Sequence, residues 1–491
     1  MARATGCRDT VQQHTNAFWN GTVNTIANAR QTSIAWTIVA ASFGFAVVQL
    51  DVTIVNVALP RLSIDLAASV PGLQWVVDAY SLVFAVLLLS AGVMGDRLGA
   101  KRAYLIGLAG FALASAACGA AQTAAELIAA RAVQGIGAAL LVPPSLALLN
   151  HACAHDAKLR AKAIGFWTAA AGVSIAAGPI VGGLLLGWLG WRSIFFVNLP
   201  LCALGMMMTL RVAETPRKPQ QHLDLRGQLL AITALTCLTA AVIEIGPLGI
   251  THPLVLTGLA LAVVSALLFV RAESRVAQPM LPLRFFRLPN FSPAVMFGIS
   301  VNLTYYGLIF ILSLYLQHVC RYTATQAGLA FLPLTATFAV ANLISGWMAG
   351  HYGSRLPMLL GALIGACGFA LLTRLDAQSN YLAMLAPFLM IPSGMGLGVP
   401  AMTTAILASV EKTFSGTASA VLNAARQAGG AIGVAAFGAL VTGGDMRIVP
   451  GMHRAAWLSS GLLLTAAVVV WFGIRRQVSP STDAINGETH L

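Results

Sequence analysis

One carboxylate in this chain lies where a carboxylate is costly. Asp51 sits in the segment LDVTIVNVALP (residues 50–60), inside an apolar run from about Ser33 to Leu59. That run is long enough to cross a bilayer. A charge at such depth costs roughly 2.5 to 3.5 kcal/mol on insertion scales, so it normally faces other helices and has a partner or a task. The chain should therefore supply a partner for Asp51.

The best candidate partner is Arg131, in a later apolar run. If successive runs cross in alternate directions, Asp51 lies seven residues before the end of its run and Arg131 seven residues after the start of its own. Both would then lie about 10 Å below the same surface. Pairing would favour the ionised Asp51. Asp78 lies slightly nearer that surface, and these three charged residues are the candidates for binding or relaying a proton. The alternative is that the charges only join helices or snorkel to the interface.

Composition defines the elements that hold these residues. Of 491 residues, 58% are hydrophobic and 9% charged, so the chain is an all-α polytopic membrane protein and not a soluble one. The net charge of +13 does not indicate a nucleic-acid-binding protein, because the sequence shows no soluble domain with a basic face. Seven scattered cysteines support neither a disulfide framework nor a metal site, and we expect no cofactor.

Fourteen apolar spans are predicted. They lie near residues 34–58, 73–95, 103–121, 124–149, 163–187, 194–212, 226–247, 252–271, 293–318, 325–350, 357–375, 380–405, 416–441 and 455–475. With the N-terminus inside, 21 of 29 Lys and Arg residues fall on the cytoplasmic side and six on the other. This bias predicts a multi-pass protein of the cell inner membrane with both termini cytoplasmic, its positive charge facing the lipid bilayer.

The most specific motif is GVMGDRLGAKR (residues 92–102), between the second and third spans. Its glycines allow helix ends to approach closely, and its charges could form a gate latch. The candidate residues are Gly92, Asp96, Arg97, Gly99, Lys101 and Arg102. A weaker copy, GWMAGHYGSR (residues 346–355), has Gly350 where the acid would be. The repeat predicts two related halves that gate unequally.

These motifs carry a family resemblance. The latch, ARAVQGIGAA (130–139), the stretch around GPIVGG (178–183) and NAARQAGG (423–430) occur in order along the chain. Together with fourteen spans and LDVTIVNVALP, they resemble the EmrB/QacA-type drug/proton antiporters of the major facilitator superfamily. Gly178, Pro179, Gly182 and Gly183 match the antiporter motif of that superfamily.

The resemblance implies a major-facilitator fold of two six-helix bundles plus two extra helices. The expected domains are a cytoplasmic tail (1–32), an N-terminal bundle (33–212), a linker pair (213–290), a C-terminal bundle (291–476) and a second tail (477–491). It further implies alternating access and proton-coupled efflux of hydrophobic or amphipathic small molecules. Protonation of Asp51 would release its charge pair with Arg131 and favour one orientation of the bundles.

The substrate cavity is less evident from the residues. Candidates at midplane depth are Asn302, Tyr305, Tyr306, Phe338, Asn342 and Arg426. Some related exporters of lipophilic cations have intramembrane acids in the second half, and this chain has none there. The resemblance therefore disfavours dicationic substrates and leaves neutral, amphipathic or anionic drugs open. A transporter of one specific metabolite, exporter or importer, remains the alternative. An enzyme is not expected, since the one cluster, His151, His155 and Asp156, looks like a solvated loop. We expect a monomer, and the sequence leaves open whether a periplasmic adaptor and outer-membrane channel extend the path.

Overall fold

The prediction of fourteen membrane-spanning helices is confirmed. A computed structural model describes residues 5–154, 156–217, 224–276, 279–411 and 414–475. Within those ranges the secondary structure is helical, with no strand, and fourteen helices are long and apolar enough to span a bilayer. The helices are α1 (Thr5–Asp65, spanning from Ile34), α2 (Val70–Leu98), α3 (Ala100–Ala120), α4 (Ala124–Ala152), α5 (Ala157–Leu189), α6 (Ser193–Phe196 and Asn198–Leu210), α7 (Leu225–Leu248), α8 (Pro253–Glu273), α9 (Phe291–Leu314 with a π turn Tyr315–Val319), α10 (Ala324–Ala330 and Leu332–Tyr352), α11 (Arg355–Leu372), α12 (Tyr381–Ser409), α13 (Ser415–Val441) and α14 (Ile448–Gly473).

The helices form two bundles with a pair beside them. In the first half α1 packs on α5, and α4 packs on both α2 and α3; in the second α9 packs on α13, and α12 packs on both α10 and α11. Glycines permit these close contacts. An added Cβ at Gly135 would lie 2.6 Å from the Tyr80 carbonyl of α2, and one at Gly137 would lie 2.6 Å from the Phe111 amide of α3. Helices α7 and α8 pack on each other, and α7 also touches α2 and α13.

The first span ends later than its sequence suggests. Its predicted end near residue 58 is wrong, because α1 continues through Pro60 to Asp65. Proline lacks the N–H that would bond to the carbonyl four residues earlier. That carbonyl belongs to Asn56, and it accepts a hydrogen bond from the Ser313 hydroxyl of α9 instead. A contact with the other half thus satisfies the backbone at the proline.

The two halves meet near one face of the membrane. We call the face at which α1 enters at Ile34 and α14 ends the terminal face, and the other the opposite face. Near the opposite face, the Gln317 amide of α9 donates to the Val57 carbonyl at 3.0 Å. There the Gln74 amide of α2 also donates to the Ala435 carbonyl of α13 at 2.7 Å, and the Thr325 hydroxyl of α10 donates to the Gly183 carbonyl at 3.1 Å.

The glycines of α5 and α10 differ in their surroundings between the two faces. An added Cβ at Gly165 of α5, or at Gly346 or Gly350 of α10, would meet nothing within 4 Å among the described residues. Near the opposite face, by contrast, a Cβ at Gly183 would lie 2.9 Å from the Ala324 carbonyl. These contacts therefore place the close approach of α5 and α10 near the opposite face.

Candidate functional site

Asp51 and Arg131 form a buried ion pair inside the first bundle. The Arg131 guanidinium lies 2.5 Å from Asp51 Oδ2, and the two side chains are 1% and 0% exposed. Arg131 Nε also donates to the Val76 carbonyl at 3.1 Å, and the guanidinium lies 4.2 Å from the centre of the Tyr80 ring. The pair joins α1 to α4 and is shielded from solvent, so its charges depend on each other and on nearby polar groups.

Three further side chains complete the surroundings of Asp51. Its Oδ1 accepts hydrogen bonds from the Gln134 amide at 2.9 Å and from the Asn198 amide at 2.8 Å. The Ser115 hydroxyl accepts from the same Asn198 amide at 3.0 Å and donates to the Phe195 carbonyl at 2.8 Å. The carboxylate thus accepts three donors from two helices other than its own. Every polar group that contacts the carboxylate among the described residues is therefore a hydrogen-bond donor.

Sequence reasoning missed Gln134, Asn198 and Ser115. Gln134 stands one helical turn after Arg131, so the two side chains share a face of α4, and that spacing was a usable signal. Asn198 is a polar residue within an apolar span, which is a weaker signal of the same kind. Ser115 had no distinguishing pattern, since small hydroxyl residues are common in packed membrane helices.

Asp78 lies apart from this network. Its side chain is fully buried, and both carboxyl oxygens lack a hydrogen-bond partner among the described residues. One turn earlier on the same helix, Gln74 bonds to α13, so Asp78 lies beside the face of α2 turned to the second bundle. A buried carboxyl without donors is far less costly when it carries a proton. The structure therefore does not bring all three proton-coupling candidates together.

The predicted antiporter motif lies where three helices meet. An added Cβ at Gly178 would overlap the Thr53 side chain of α1, and one at Gly182 would lie 2.9 Å from the Ile54 carbonyl. Pro179 is buried in the interior of α5. Gly183, on another face, packs against α10. The motif therefore joins α5 to the Asp51 segment on one side and to the second bundle on the other.

The predicted latch residues surround a one-residue turn. Gly99 has φ of +92°, a conformation that favours glycine, and it separates α2 from α3. Gly92 and Gly95 lie beside Pro143 and Pro144 of α4. Asp96 is half-buried and Arg97 is exposed. The turn thus holds the ends of α2 and α3 against α4 at the terminal face.

A segment that sequence reasoning did not consider caps α3. The Glu214 carboxylate accepts from the Lys101 amide at 3.0 Å and lies 3.9 Å from Arg102 Nε. The Thr215 hydroxyl accepts from the Ala100 amide at 2.7 Å. The free N–H groups at the start of a helix require such acceptors. Lys101 Nζ donates to the Leu210 carbonyl at 2.9 Å, so α3 is joined to the end of α6 as well.

The repeat of the latch in the second half is looser. Gly353 has φ of +75° and separates α10 from α11, as Gly99 separates their counterparts. Arg355 donates to the Trp471 carbonyl of α14 at 2.5 Å. The pattern of turns is preserved between the halves, whereas the packing of the preceding glycines is not.

A small cavity lies between the bundles, and the empty space in it together with the solvent at its open mouth amounts to about 340 Å³. It combines aromatic walls with side-chain amides and one cation. Its lining consists of Phe45, Gln49, Phe84, Val142, Asn302, Tyr306, Asn423, Arg426 and Gln427. Four helices, α1, α2, α9 and α13, supply all but one of these residues.

Three of the six predicted cavity residues lie elsewhere. Asn302, Tyr306 and Arg426 line the cavity, but Tyr305, Phe338 and Asn342 do not. Tyr305 is 3% exposed and stacks on Phe338, with ring centres 6.4 Å apart. Asn342 donates to the Phe338 carbonyl one turn earlier at 2.9 Å. Tyr305 and Phe338 thus join α9 to α10, and Asn342 bonds to its own helix, because depth in a helix does not determine which way a side chain points.

The cluster of His151, His155 and Asp156 gives no support for a catalytic site among the described residues. His151 and Asp156 are exposed, and Asp156 accepts from the Leu159 amide at 3.0 Å, while His155 lies outside the described residues. Throughout the ranges that the structure covers, no group of three His, Cys, Asp or Glu side chains could hold a metal ion.

Two helix bundles with a further helix pair, a buried ion pair and a cavity between the bundles are typical of a membrane transporter. A family model described as Major Facilitator Superfamily matches residues 41–434, and the chain belongs to that family. It is 40% identical over 406 residues to the methylenomycin A resistance protein of Streptomyces coelicolor, covering 82% of this chain and 85% of that protein. It is 38% identical over 427 residues to the multidrug resistance protein Stp of Mycobacterium tuberculosis, covering 87% and 77% respectively.

A solved structure shares the fold. The xylose transporter XylE from E. coli, in a partially occluded inward-open conformation, matches with a TM-score of 0.64 at 14% sequence identity. The match covers 91% of this chain and 99% of that one.

Proposed function

We propose that this protein is a proton-coupled antiporter that exports hydrophobic or amphipathic drugs by alternating access. The relatives at 40% and 38% identity are named for antibiotic and multidrug resistance, which supports export of such compounds. The observation that carries the coupling is the buried Asp51, held by Arg131, Gln134 and Asn198. When such a carboxylate binds a proton, it gives up some of the hydrogen bonds that it accepts in the ionised form.

In this mechanism the proton acts on the contacts between helices. Asp51 sits two residues before Thr53, which packs against Gly178 of α5. Protonation of Asp51 would remove the negative partner of Arg131 and loosen the link between α1 and α4. The membrane potential contributes about 2.3 kcal/mol per charge per 100 mV, enough to bias such a switch. Asp78 serves as a second proton site beside the second bundle.

We place the terminal face in the cytoplasm of the cell inner membrane. The distribution of 21 basic residues on that side and six on the other supports this orientation. The conformation is then inward-facing, with the cavity reached from the cytoplasm. We propose a domain division at residues 33–212, 213–290 and 291–476, and the contact of α7 with α8 supports a separate helix pair between the bundles. The partners are the lipid bilayer, protons and small-molecule substrates, and the protein functions as a monomer without a cofactor.

The test of this function uses inverted membrane vesicles that contain the protein. With a proton gradient, they should accumulate a fluorescent hydrophobic dye, and a protonophore should abolish the accumulation. Vesicles without the protein are the control. Accumulation that persists with the protonophore would refute proton coupling. Uptake of the same dye into whole cells, rather than export, would establish an importer.

A further inference from the structure

The cavity between the bundles carries one kind of charge. Arg426 is the one charged side chain among its lining residues. The acidic residues between positions 291 and 475 are Asp376, Glu411 and Asp445, and each lies in a loop or at a helix end. In the first bundle, Asp51 is already paired with Arg131, and the buried Asp78 of α2 is not among the residues that line the cavity. A ligand in this cavity therefore meets a positive charge without a neighbouring counter-charge.

The Arg426 guanidinium has no partner in the described part of the protein. Its Nε is buried without a hydrogen-bond acceptor, and no ion pair found there includes it. Arg131, the other intramembrane arginine, is paired with a carboxylate, a carbonyl and an amide oxygen. An unpaired guanidinium in a membrane protein is expensive, so a missing acceptor is expected at Arg426.

The helices around Arg426 hold it toward the cavity. An added Cβ at Gly298 of α9 would lie 3.3 Å from Arg426 Cγ, so this glycine makes room for the arginine stem. The Asn302 amide donates to the Gly298 carbonyl at 2.8 Å, and the Asn423 amide donates to the Ser419 carbonyl at 3.0 Å. These two amide groups are bonded to their own helices, whereas the amides of Gln49 and Gln427, which also line the cavity, could assist Arg426, its one cationic donor.

The remaining walls suit a flat apolar group. Phe45, Phe84 and Tyr306 line the cavity. Phe45 is fixed by stacking on Trp167, with ring centres 3.8 Å apart. A planar guanidinium beside aromatic rings matches a molecule with one aromatic body and one carboxylate, since arginine binds carboxylates through two parallel hydrogen bonds.

We infer that Arg426 is the docking group for the carboxylate, or a similar single anionic group, of an aromatic amphipathic substrate. This inference rests on the proposed export function and names its substrate class. It also implies that the cavity disfavours lipophilic cations, which would be repelled by the unpaired guanidinium.

The test compares two probes that differ in one charge, 1-pyrenebutyrate and its methyl ester. Both are measured for transport in proteoliposomes with a proton gradient, and for binding to the purified full chain by fluorescence anisotropy. The wild type should bind the carboxylate about tenfold or more tightly than the ester, the ratio expected for a charge-assisted hydrogen bond. Arg426→Gln should abolish that preference by weakening carboxylate binding alone, and Arg426→Lys should retain part of it.

Arg374→Gln is the matched control, because Arg374 is exposed in the loop after α11. It should leave both affinities unchanged. Loss of ester and carboxylate binding together in Arg426→Gln would show that Arg426 is structural and would overturn the inference, as would tighter binding of ethidium than of pyrenebutyrate to the wild type. Arg426-dependent carboxylate binding without transport would instead refute the export function and leave the docking role intact.

The charge moved per substrate molecule provides a second readout. Currents recorded on a solid-supported membrane give the charge moved per transported molecule. If the anion itself crosses, this charge should be one elementary charge larger for the carboxylate than for the ester. Equal charges for the two probes would mean that the carboxylate travels as the neutral acid, which contradicts docking on Arg426 as an anion.

Discussion

At the scale of single residues, the Asp51–Arg131 pair depends on both members. Removing one partner of a buried ion pair leaves an uncompensated charge and costs about 3 to 5 kcal/mol. We therefore expect Arg131→Ala to lower the unfolding temperature in detergent strongly. Asp51→Asn combined with Arg131→Gln should recover much of the loss, because neither charge remains. Arg192→Ala, which removes one hydrogen bond at 3.2 Å to the Ala121 carbonyl, is the control and should cost far less.

At this scale the sequence predicted the charges better than their surroundings. A charged residue inside an apolar run is conspicuous, and its cost requires a partner. The amides and hydroxyl around Asp51 carry no such cost, so Asn198 and Ser115 could not be chosen from many similar residues. Depth and aromatic character favour a cavity position for Tyr305 and Phe338, but these two rings stack on each other, because rotation about the helix axis also determines what a side chain contacts.

At the scale of helices, two glycines of α5 allow the contact with α10 to be tested. Gly183→Ala should weaken closure at the opposite face, because its Cβ would lie 2.9 Å from the Ala324 carbonyl of α10. Gly165→Ala on the same helix should change nothing, since no described atom lies within 4 Å of its Cβ. Spin labels at the exposed residues Leu189 and Leu329 would report the distance between these helix ends. The distance should increase in Gly183→Ala, and an unchanged distance would contradict the gating role of this contact.

A second contact between helices depends on a proline. Ser313 donates to the Asn56 carbonyl that Pro60 leaves without its helical partner. Ser313→Ala should destabilise the closed opposite face by about 1 kcal/mol. In a Pro60→Ala background the restored N–H should bond to Asn56, so the added effect of Ser313→Ala should fall toward zero. Equal effects in both backgrounds, measured by thermal unfolding, would exclude this account.

The number of membrane-spanning helices was predictable because each apolar run is visible in a short stretch of sequence. The helix ends were not predictable in this way. The first span continues through Pro60 to Asp65 because the Asn56 carbonyl accepts a hydrogen bond from Ser313 of α9. These two residues are 257 positions apart in the sequence. The cap of α3 by Glu214 and Thr215 is similarly remote in sequence. Such contacts between distant segments leave no periodic pattern for a reader of the sequence to detect.

At the scale of the whole molecule, the two halves share a plan and differ in packing. The glycine turns at Gly99 and Gly353 keep the repeat visible, and the sequence predicted the two halves from them. The relative position of the bundles was not predictable, because it depends on which face is closed. The contacts of Gln74, Gln317 and Thr325 close the opposite face, and the cavity with Arg426 lies between the bundles.

The central claim is that Asp51 couples the movement of protons to that of the substrate. The most direct measurement compares uphill dye accumulation with dye exchange at equal proton concentrations in proteoliposomes containing wild type or Asp51→Asn. Asp65→Asn is the matched control on the same helix, where the acid pairs with Arg61 at 3.1 Å near the exposed helix end. We predict that Asp51→Asn loses accumulation and retains exchange, while Asp65→Asn retains both. Accumulation by Asp51→Asn at the wild-type level would contradict the account.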